Sequence, residues 1–395
     1  MSHEVEEPTY EVVGPLERFD ERDNVFARER LTPGSPEERA YHALHPELVE
    51  VDGRLAAFIE GKADAQPQEE DWMGAAFYSA TFGPIAALGQ PDMVDGPVSP
   101  QKVEADPAEM ARRVKRLARY LGADLVRIGP LNSAWVYSHR GCPPFFDGYR
   151  ANPPLFDGVP DGYRDLKWGD PIEIPHRYAI SMAFAQDDRL MRTTPSPVSD
   201  LEVGQVYARS ALTSVQLARY IRALGYPARA HHLRNYGVLV VPVAVDAGLG
   251  ELARSGYLIT KELGLNFRLA CVTTDLPMAL DRPVDLGVQD FCQKCLKCAE
   301  TCPSRAIPQG EKMVVRGVRK WKLDEVKCLL YWGHVGSACA ICQVVCPWSK
   351  PRTLFHRFVA EIAIRVPAAR RFLVWADDLV YGANFEPRPE PAWVK

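Results

Sequence analysis

FCQKCLKCAETCPSRAIP (291–308) and CLLYWGHVGSACAICQVVCPW (328–348) decide how this chain is read. The first stretch runs C-x2-C-x2-C-x3-C-P through Cys292, Cys295, Cys298 and Cys302, the spacing by which a compact loop of thiolates ligates a 4Fe-4S cubane. The second keeps C-x2-C-x3-C-P as Cys339, Cys342 and Cys346, but its leading cysteine, Cys328, is set back from Cys339 by ten intervening residues. Eight of the ten cysteines therefore offer four ligands to each of two clusters. In two-cluster arrangements the cysteine before proline serves the other cluster. Cys292, Cys295, Cys298 and Cys346 are accordingly expected around one, and Cys302, Cys328, Cys339 and Cys342 around the other.

Other uses of so many thiols fit less well. Disulfide frameworks belong to small secreted domains, and this chain has 395 residues. Structural zinc favours paired C-x2-C ligand sets, whereas three thiolates on one short loop suit a cubane; zinc and buried free thiols are the competing readings. Cys142 and Cys271 lack metal spacing and read as small buried hydrophobes.

Composition bounds the remaining classes. A content of 47% hydrophobic and 25% charged residues is that of a folded globular protein. The 47 basic and 51 acidic residues give a net charge of -4, which offers no footprint for nucleic acid. The longest apolar run, VLVVPVAV (238–245), is too short to cross a bilayer, so no transmembrane segment is expected. The start, MSHEVEEPTYEVV, shows no export pattern, and a cytoplasmic location is expected.

Four segments follow from the patterning. Residues 1–70 read as an extended amino-terminal arm wrapping the core, 71–285 as the main core, 286–350 as a ferredoxin-like domain with the two clusters, and 351–395 as one amphipathic helix and a Pro-rich tail. Within the core, PAEMARRVKRLARYLGADLVRIGPL (107–131) has helical periodicity, a glycine stop and a short strand. RSALTSVQLARYIRALGYPARAHHLRNYGVLVVPVAV (209–245) repeats that phrase as helix, Gly225 and then strands. The fold class is α+β with an internal pseudo-repeat. Between the two units, 137–175 is a long loop rich in Gly, Pro and aromatics, among them Phe145, Phe146, Tyr149, Phe156, Tyr163 and Trp168. Its composition reads as a lid or pocket wall.

DAGLGELARSGYLITKELGLNFRLACVTTDLP (246–277), both cysteine blocks and CPW follow one another in the order and spacing of a known family. The chain resembles the cobalamin- and iron-sulfur-dependent reductive dehalogenases, from about residue 14, in GPLERFDERDNVFAR, to about 385. The resemblance implies a nitroreductase-like core holding a corrinoid, base-off and without a protein ligand to cobalt, beside a ferredoxin-like two-cluster domain. The sequence agrees, because no D-x-H-x-x-G pattern occurs. His231 and His232 read as a polar strand end.

The resemblance also implies a catalytic pair. The family's proton-donor tyrosine, just before the helix that runs into LGY, corresponds to Tyr207 in QVYARSALTS; its basic partner, in a G-x-x-x-R phrase, corresponds to Arg268. A phenol of pKa about 10 is a poor acid unless a fixed cation stabilises its phenolate, and arginine stays charged when buried. Without the resemblance, a core aromatic and an ordinary ion-paired arginine would be the better readings. Gly248, Leu249, Gly250 and Glu251 of AGLGE, with Asn235, Gly237 and Leu269, are expected to line the corrinoid, the glycines by letting backbone amides approach it closely.

The implied reaction is reductive cleavage of a carbon-halogen bond in a small organohalide. Cob(I)alamin acts, electrons come through the clusters, and Tyr207 supplies the proton. Exported members of the family carry a twin-arginine signal and others a fused reductase; here a separate donor such as ferredoxin or flavodoxin is expected. Epoxyqueuosine reductase is the rival with the same cofactors, but its AGLGWIGKN-like wording is replaced by AGLGELARSGY. The rival of another class is a non-catalytic iron-sulfur electron-transfer protein.

Overall fold

YAISMAFA, residues 178–185, is apolar but for Ser181, and every residue but its two ends is buried. A strand of that kind belongs in the middle of a sheet covered on both faces. The computed structural model describes residues 3–63, 69–141, 167–351 and 353–394. Its strands are β1 (Glu11–Val12), β2 (Leu125–Pro130), β3 (Tyr178–Ala185), β4 (Ala228–His231), β5 (Glu251–Leu252), β6 (Leu258–Ile259), β7 (Phe267–Thr274), β8 (Met313–Val315) and β9 (Val318–Lys320). The central sheet has the order β2-β3-β7-β4, with antiparallel neighbours throughout. Phe184 lies opposite Arg268, and Ala183 opposite Leu269.

Alternation along β7 sorts its residues between the two faces. Ala270 and Val272 join the main core with Val206, Leu217 and Ile221 of the helix Pro197–Ala223 and Met110 and Val114 of the helix Pro107–Tyr120. Leu269 and Phe267 face the other way, against Ala244 and Val245 of a short helix, Val240–Asp246. The helix Pro197–Ala223 starts where its sequence says it should. Pro197 occupies the first turn, and Ser196 and Ser199 form a reciprocal capping box; such a cap is worth about 1 kcal/mol.

The pseudo-repeat occupies both edges of this sheet. The first helix passes through Gly122 (φ 120°) into β2, and the second through Gly225 (φ 88°) into β4. A Cβ at Gly225 would lie 2.3 Å from the Gln101 carbonyl oxygen, so only glycine serves there. The expected strand at 238–245 is instead helical over Val240–Asp246, because Leu239 joins the Trp135 carbonyl and the chain then turns to bury Val243, Ala244 and Val245.

The amino-terminal segment is not the extended arm that its composition implies. Helices span Pro36–Leu44 and Val49–Ala63, and Leu55 packs with Val25 against Leu329 of the helix Glu325–Val335. The buried pair Arg28–Asp52 ties this segment together at 2.5 Å. β1 adds to the hairpin β8-β9, whose Arg316-Gly317 turn has positive φ at both residues, as a tight hairpin requires. The carboxyl end holds two helices, Leu354–Arg365 and Arg370–Tyr381, where one was expected. RRFLVWADDLVY is fastened by Lys297 and Lys350, which reach Asp377 at 2.6 and 3.0 Å. No described helix is long and apolar enough to cross a membrane.

Candidate active site and electron path

Eight cysteines ring two neighbouring cavities. Cys292, Cys295, Cys298 and Cys346 line the first, with Arg254, Leu265 and Trp348, and Cys342 lines it as well. Cys302, Cys328, Cys339 and Cys342 line the second, with Tyr257, Leu323 and Tyr331. The structure thus brings Cys346 to the first block's cavity and Cys302 to the second's, the exchange that the proline-flanked spacing predicts. The displaced Cys328 has a local cause. It sits on the helix Glu325–Val335, capped by Asp324 and ended by left-handed Gly336, and the rest of that helix takes up seven of the ten residues between Cys328 and Cys339.

These donors suit a cationic core. Burial pushes the thiols of Cys292 and Cys328 up to about 12, and adjacent thiolates add to the effect. Burial likewise raises Cys295 and Cys339 to about 11. Thiolates so placed need positive charge between them, as an iron-sulfur cubane supplies.

Tyr207 and Arg268 meet beside the second cavity. Tyr207 lies inside the helix Pro197–Ala223 rather than before it, because the Ser196 cap starts that helix early. The Arg268 guanidinium carbon is 5.4 Å from the centre of the Tyr207 ring, over its face. Arg268 Nη1 donates to Gln343 Oε1 and to the Phe267 carbonyl, both at 3.3 Å. Its Nε is buried without a partner. Gln343 follows Cys342, so this arginine links the tyrosine to a segment that lines the second cavity. The Phe82 ring centre lies 6.3 Å from that of Tyr207, and Phe385 packs against the same buried cluster of Met191, Val203, Ala340 and Val344.

Sequence reasoning missed two phenols here. Desolvation pushes Tyr236 well up, with Tyr207 adding and Arg268 opposing. Tyr257 is raised by desolvation and by Cys342 and Cys328, again against Arg268. Tyr257 therefore feels the second cavity and the Tyr207–Arg268 pair together. The GYL phrase that contains it gave no signal, and Tyr236 was hidden between the quoted Asn235 and Gly237.

Tetrachloroethene reductive dehalogenase from Dehalobacter restrictus (strain DSM 9455 / PER-K23) is 36% identical over 297 residues, which cover 68% of this chain and 53% of that protein. The chain belongs to the reductive dehalogenase family. It spans about half the length of the curated relatives it matches. Residues 291–350 match the 4Fe-4S dicluster domain. Among solved structures, the catabolic reductive dehalogenase NpRdhA in complex with 3-bromo-4-hydroxybenzoic acid superposes with a TM-score of 0.73 and 27% identity, over 96% of this chain and 49% of that one. Epoxyqueuosine reductase from Lactococcus garvieae (strain Lg2) is 35% identical over 126 residues, 29% of this chain.

Other residues that the reductive dehalogenase resemblance assigned to the corrinoid have their side chains or space taken up within the protein. A Cβ on Gly248 would lie 1.9 Å from the Arg282 carbonyl oxygen, and one on Gly250 2.1 Å from that of Ile259. The chain's own backbone already demands glycine at both positions. Glu251 is buried and accepts from the amides of Leu286 and Val288, at the start of the helix that leads to Cys292. Asn235 donates to the Gly89 carbonyl at 2.7 Å and accepts from Arg229 at 2.6 Å. Gly237 donates to His231 Nδ1, and a Cβ there would meet Ile174 at 2.8 Å. Leu249 and Leu269 fill the apolar cluster behind the sheet, and Leu269 alternates away from Arg268. Of the expected lid, Cys142, Phe145, Phe146, Tyr149, Phe156 and Tyr163 lie outside the described residues. Trp168 packs on Tyr41 and under Arg22.

Proposed function

We propose that this chain is a reductive dehalogenase in which two 4Fe-4S clusters pass electrons to a bound corrinoid, and Tyr207, assisted by Arg268, protonates the carbon that loses halide. The reading is carried by one observation: Arg268 lies over the Tyr207 ring while its Nη1 holds Gln343, the residue after Cys342. The unpartnered Arg268 Nε and the phenols of Tyr207, Tyr236 and Tyr257 supply the polar groups that a corrinoid and a small substrate need. When bound, the corrinoid supplies low-valent cobalt that engages the carbon-halogen bond.

The protein's part is proton supply and charge. The overall change takes two electrons and one proton, releases halide and leaves a carbon-hydrogen bond. Tyr207 gives its hydroxyl proton, and the guanidinium of Arg268 offsets the charge left on the phenolate. Lysine at 268 would be a weaker solution, because a desolvated ammonium gives up its proton more readily. A base-off corrinoid without a histidine ligand is supported by the engagement of both candidate imidazoles. His231 is tied to Thr273 and the Gly237 amide, and His232 to the Leu233 and Leu88 carbonyls. Electrons enter from a separate one-electron donor of the ferredoxin or flavodoxin kind.

Tyr207→Phe tests the assignment in corrinoid-loaded protein. Its halide release is expected to fall by about 10²- to 10⁴-fold with corrinoid content unchanged. Release at the wild-type rate would remove Tyr207 from the mechanism.

A further inference from the structure

Arg254 is buried at 1% exposure and borders the first cysteine cavity. Its Nε donates to the Cys292 carbonyl at 3.1 Å, and its Nη1 faces the carbonyls of Pro308, Gln309 and Gly310 at 2.9, 3.3 and 3.1 Å. The guanidinium lies 4.4 Å from the centre of the Trp321 ring, and Lys312 Nζ approaches the same ring at 4.6 Å. Every hydrogen-bond acceptor of Arg254 among the described residues is a neutral carbonyl. A buried arginine stays charged, and leaving that charge without an anion is costly. The thiolates of the cavity it borders are its natural counter-charge.

Lys312 donates to the neutral Gln289 Oε1 and adds a second, weaker positive charge on this side, with Glu311 nearby accepting from Gln293; the other charges near this cavity are held by partners. Lys297 and Lys350 are held by Asp377, with Asp378 also on Lys297, and the Glu251 carboxylate is held by two amides. The second cavity differs. Among the described residues no lysine or arginine lines it; Asp200, which accepts from the Ala338 amide, and Asp324, which caps the Cys328 helix and pairs with Lys327, stand next to its cysteines, and the nearby cation Arg268 is engaged by the Tyr207 ring and Gln343. Reducing a cluster adds negative charge in a region of low dielectric, so a desolvated cation beside it raises its potential and nearby carboxylates lower it.

We propose that Arg254 is the counter-cation of the cluster held by Cys292, Cys295, Cys298 and Cys346, and that it makes this cluster the first of the two to accept an electron. The donor loses one electron and this cluster gains it. The cluster at Cys302, Cys328, Cys339 and Cys342, beside Tyr257, has the lower potential; the transfer onto it is uphill and is drawn forward as the proposed carbon-halogen cleavage beside Tyr207 and Arg268 consumes the electrons. The inference rests on the two-cluster reading above.

The test is an anaerobic redox titration of the iron-reconstituted full chain, followed by electron paramagnetic resonance, for wild type, Arg254→Gln and Arg254→Lys. In Arg254→Gln the equilibrium constant for reducing the higher-potential cluster is expected to fall at least tenfold, a drop of about 59 mV, while the other midpoint stays in place. Arg254→Lys is expected to recover most of that shift. Unchanged midpoints in Arg254→Gln, or equal shifts in the glutamine and lysine variants, would overturn the proposal by leaving Arg254 a purely structural tie. Should Arg254→Gln bind less iron, Lys312→Gln, which keeps the carbonyl cradle, makes the same comparison; it must lower the same midpoint, and no shift overturns the idea. Wild-type protein that takes up iron for fewer than two clusters would instead defeat the two-cluster reading.

Discussion

The exchange of Cys302 and Cys346 between cavities predicts a specific pattern of iron loss. Each cavity presents four sulfurs that belong to different parts of the sequence, so the fate of a double variant depends on which cavity each cysteine faces. Wild-type protein is expected to hold about eight irons per chain, and Cys346→Ser to hold about four when the three-thiol site empties. Cys292→Ser combined with Cys346→Ser strikes the same cavity twice and should still leave about four. Cys339→Ser combined with Cys346→Ser strikes both cavities and should leave almost none. If each sequence block instead served its own cluster, these two doubles would exchange results. Iron and labile sulfide are measured per chain after anaerobic reconstitution, and the non-additivity of the first double is the diagnostic quantity. About four irons in the Cys339/Cys346 double, with loss of both clusters in the Cys292/Cys346 double, would refute the crossed assignment. Any three-iron remnant would appear in its own paramagnetic signal and be counted separately.

Three further outcomes follow from the same geometry. Gly248→Ala should destabilise the fold by at least about 1–2 kcal/mol from the left-handed backbone alone, since φ is 76° and the Arg282 carbonyl stands in the way; thermal denaturation would check it, and an unchanged midpoint would contradict the reading. Asp246 is raised from 3.8 to about 6 by burial, against hydrogen bonds from Tyr10 and Trp135. Its folded-state value lies above its unfolded one, so its favourable contribution is complete below pH 3.8 and is lost as pH rises to about 6, a change of up to about 3 kcal/mol. Asp246→Asn should flatten the stability profile across that window, and a profile as steep as the wild type's would count against it. Arg268→Lys should keep iron and corrinoid content but lose rate increasingly as pH rises, because a desolvated lysine deprotonates where arginine does not; a pH profile parallel to the wild type's would count against the proposed role of the guanidinium.

The parts of this protein that were legible in its sequence are those whose physics is local. Cysteine spacing announced the iron-sulfur domain, and the periodicity of 107–121 announced a helix that the structure places at Pro107–Tyr120. Tyr207 and Arg268 were named from family wording, and their meeting needed the fold, since they lie on a helix and a strand far apart in the chain. VLVVPVAV carries β-branched residues that favour a strand, yet burial of Val243, Ala244 and Val245 against the back of the sheet makes it helical. The glycines of AGLGE looked like a ligand cradle because close approach by a cofactor and close approach by one's own backbone demand the same residue. Arg254 was invisible for a related reason. A single arginine in LARSGY acquires meaning only when Trp321 and the 308–310 carbonyls close around it.

The central claim is tested most directly by anaerobic halide release from protein reconstituted with iron, sulfide and cobalamin, reduced by a viologen and offered a panel of chlorinated and brominated aryl and alkenyl substrates. The account predicts corrinoid uptake near one per chain and halide released in step with two electrons consumed, with Tyr207→Phe loaded but inactive. Protein that carries both clusters yet binds no corrinoid would contradict it and leave an electron-transfer protein in its place.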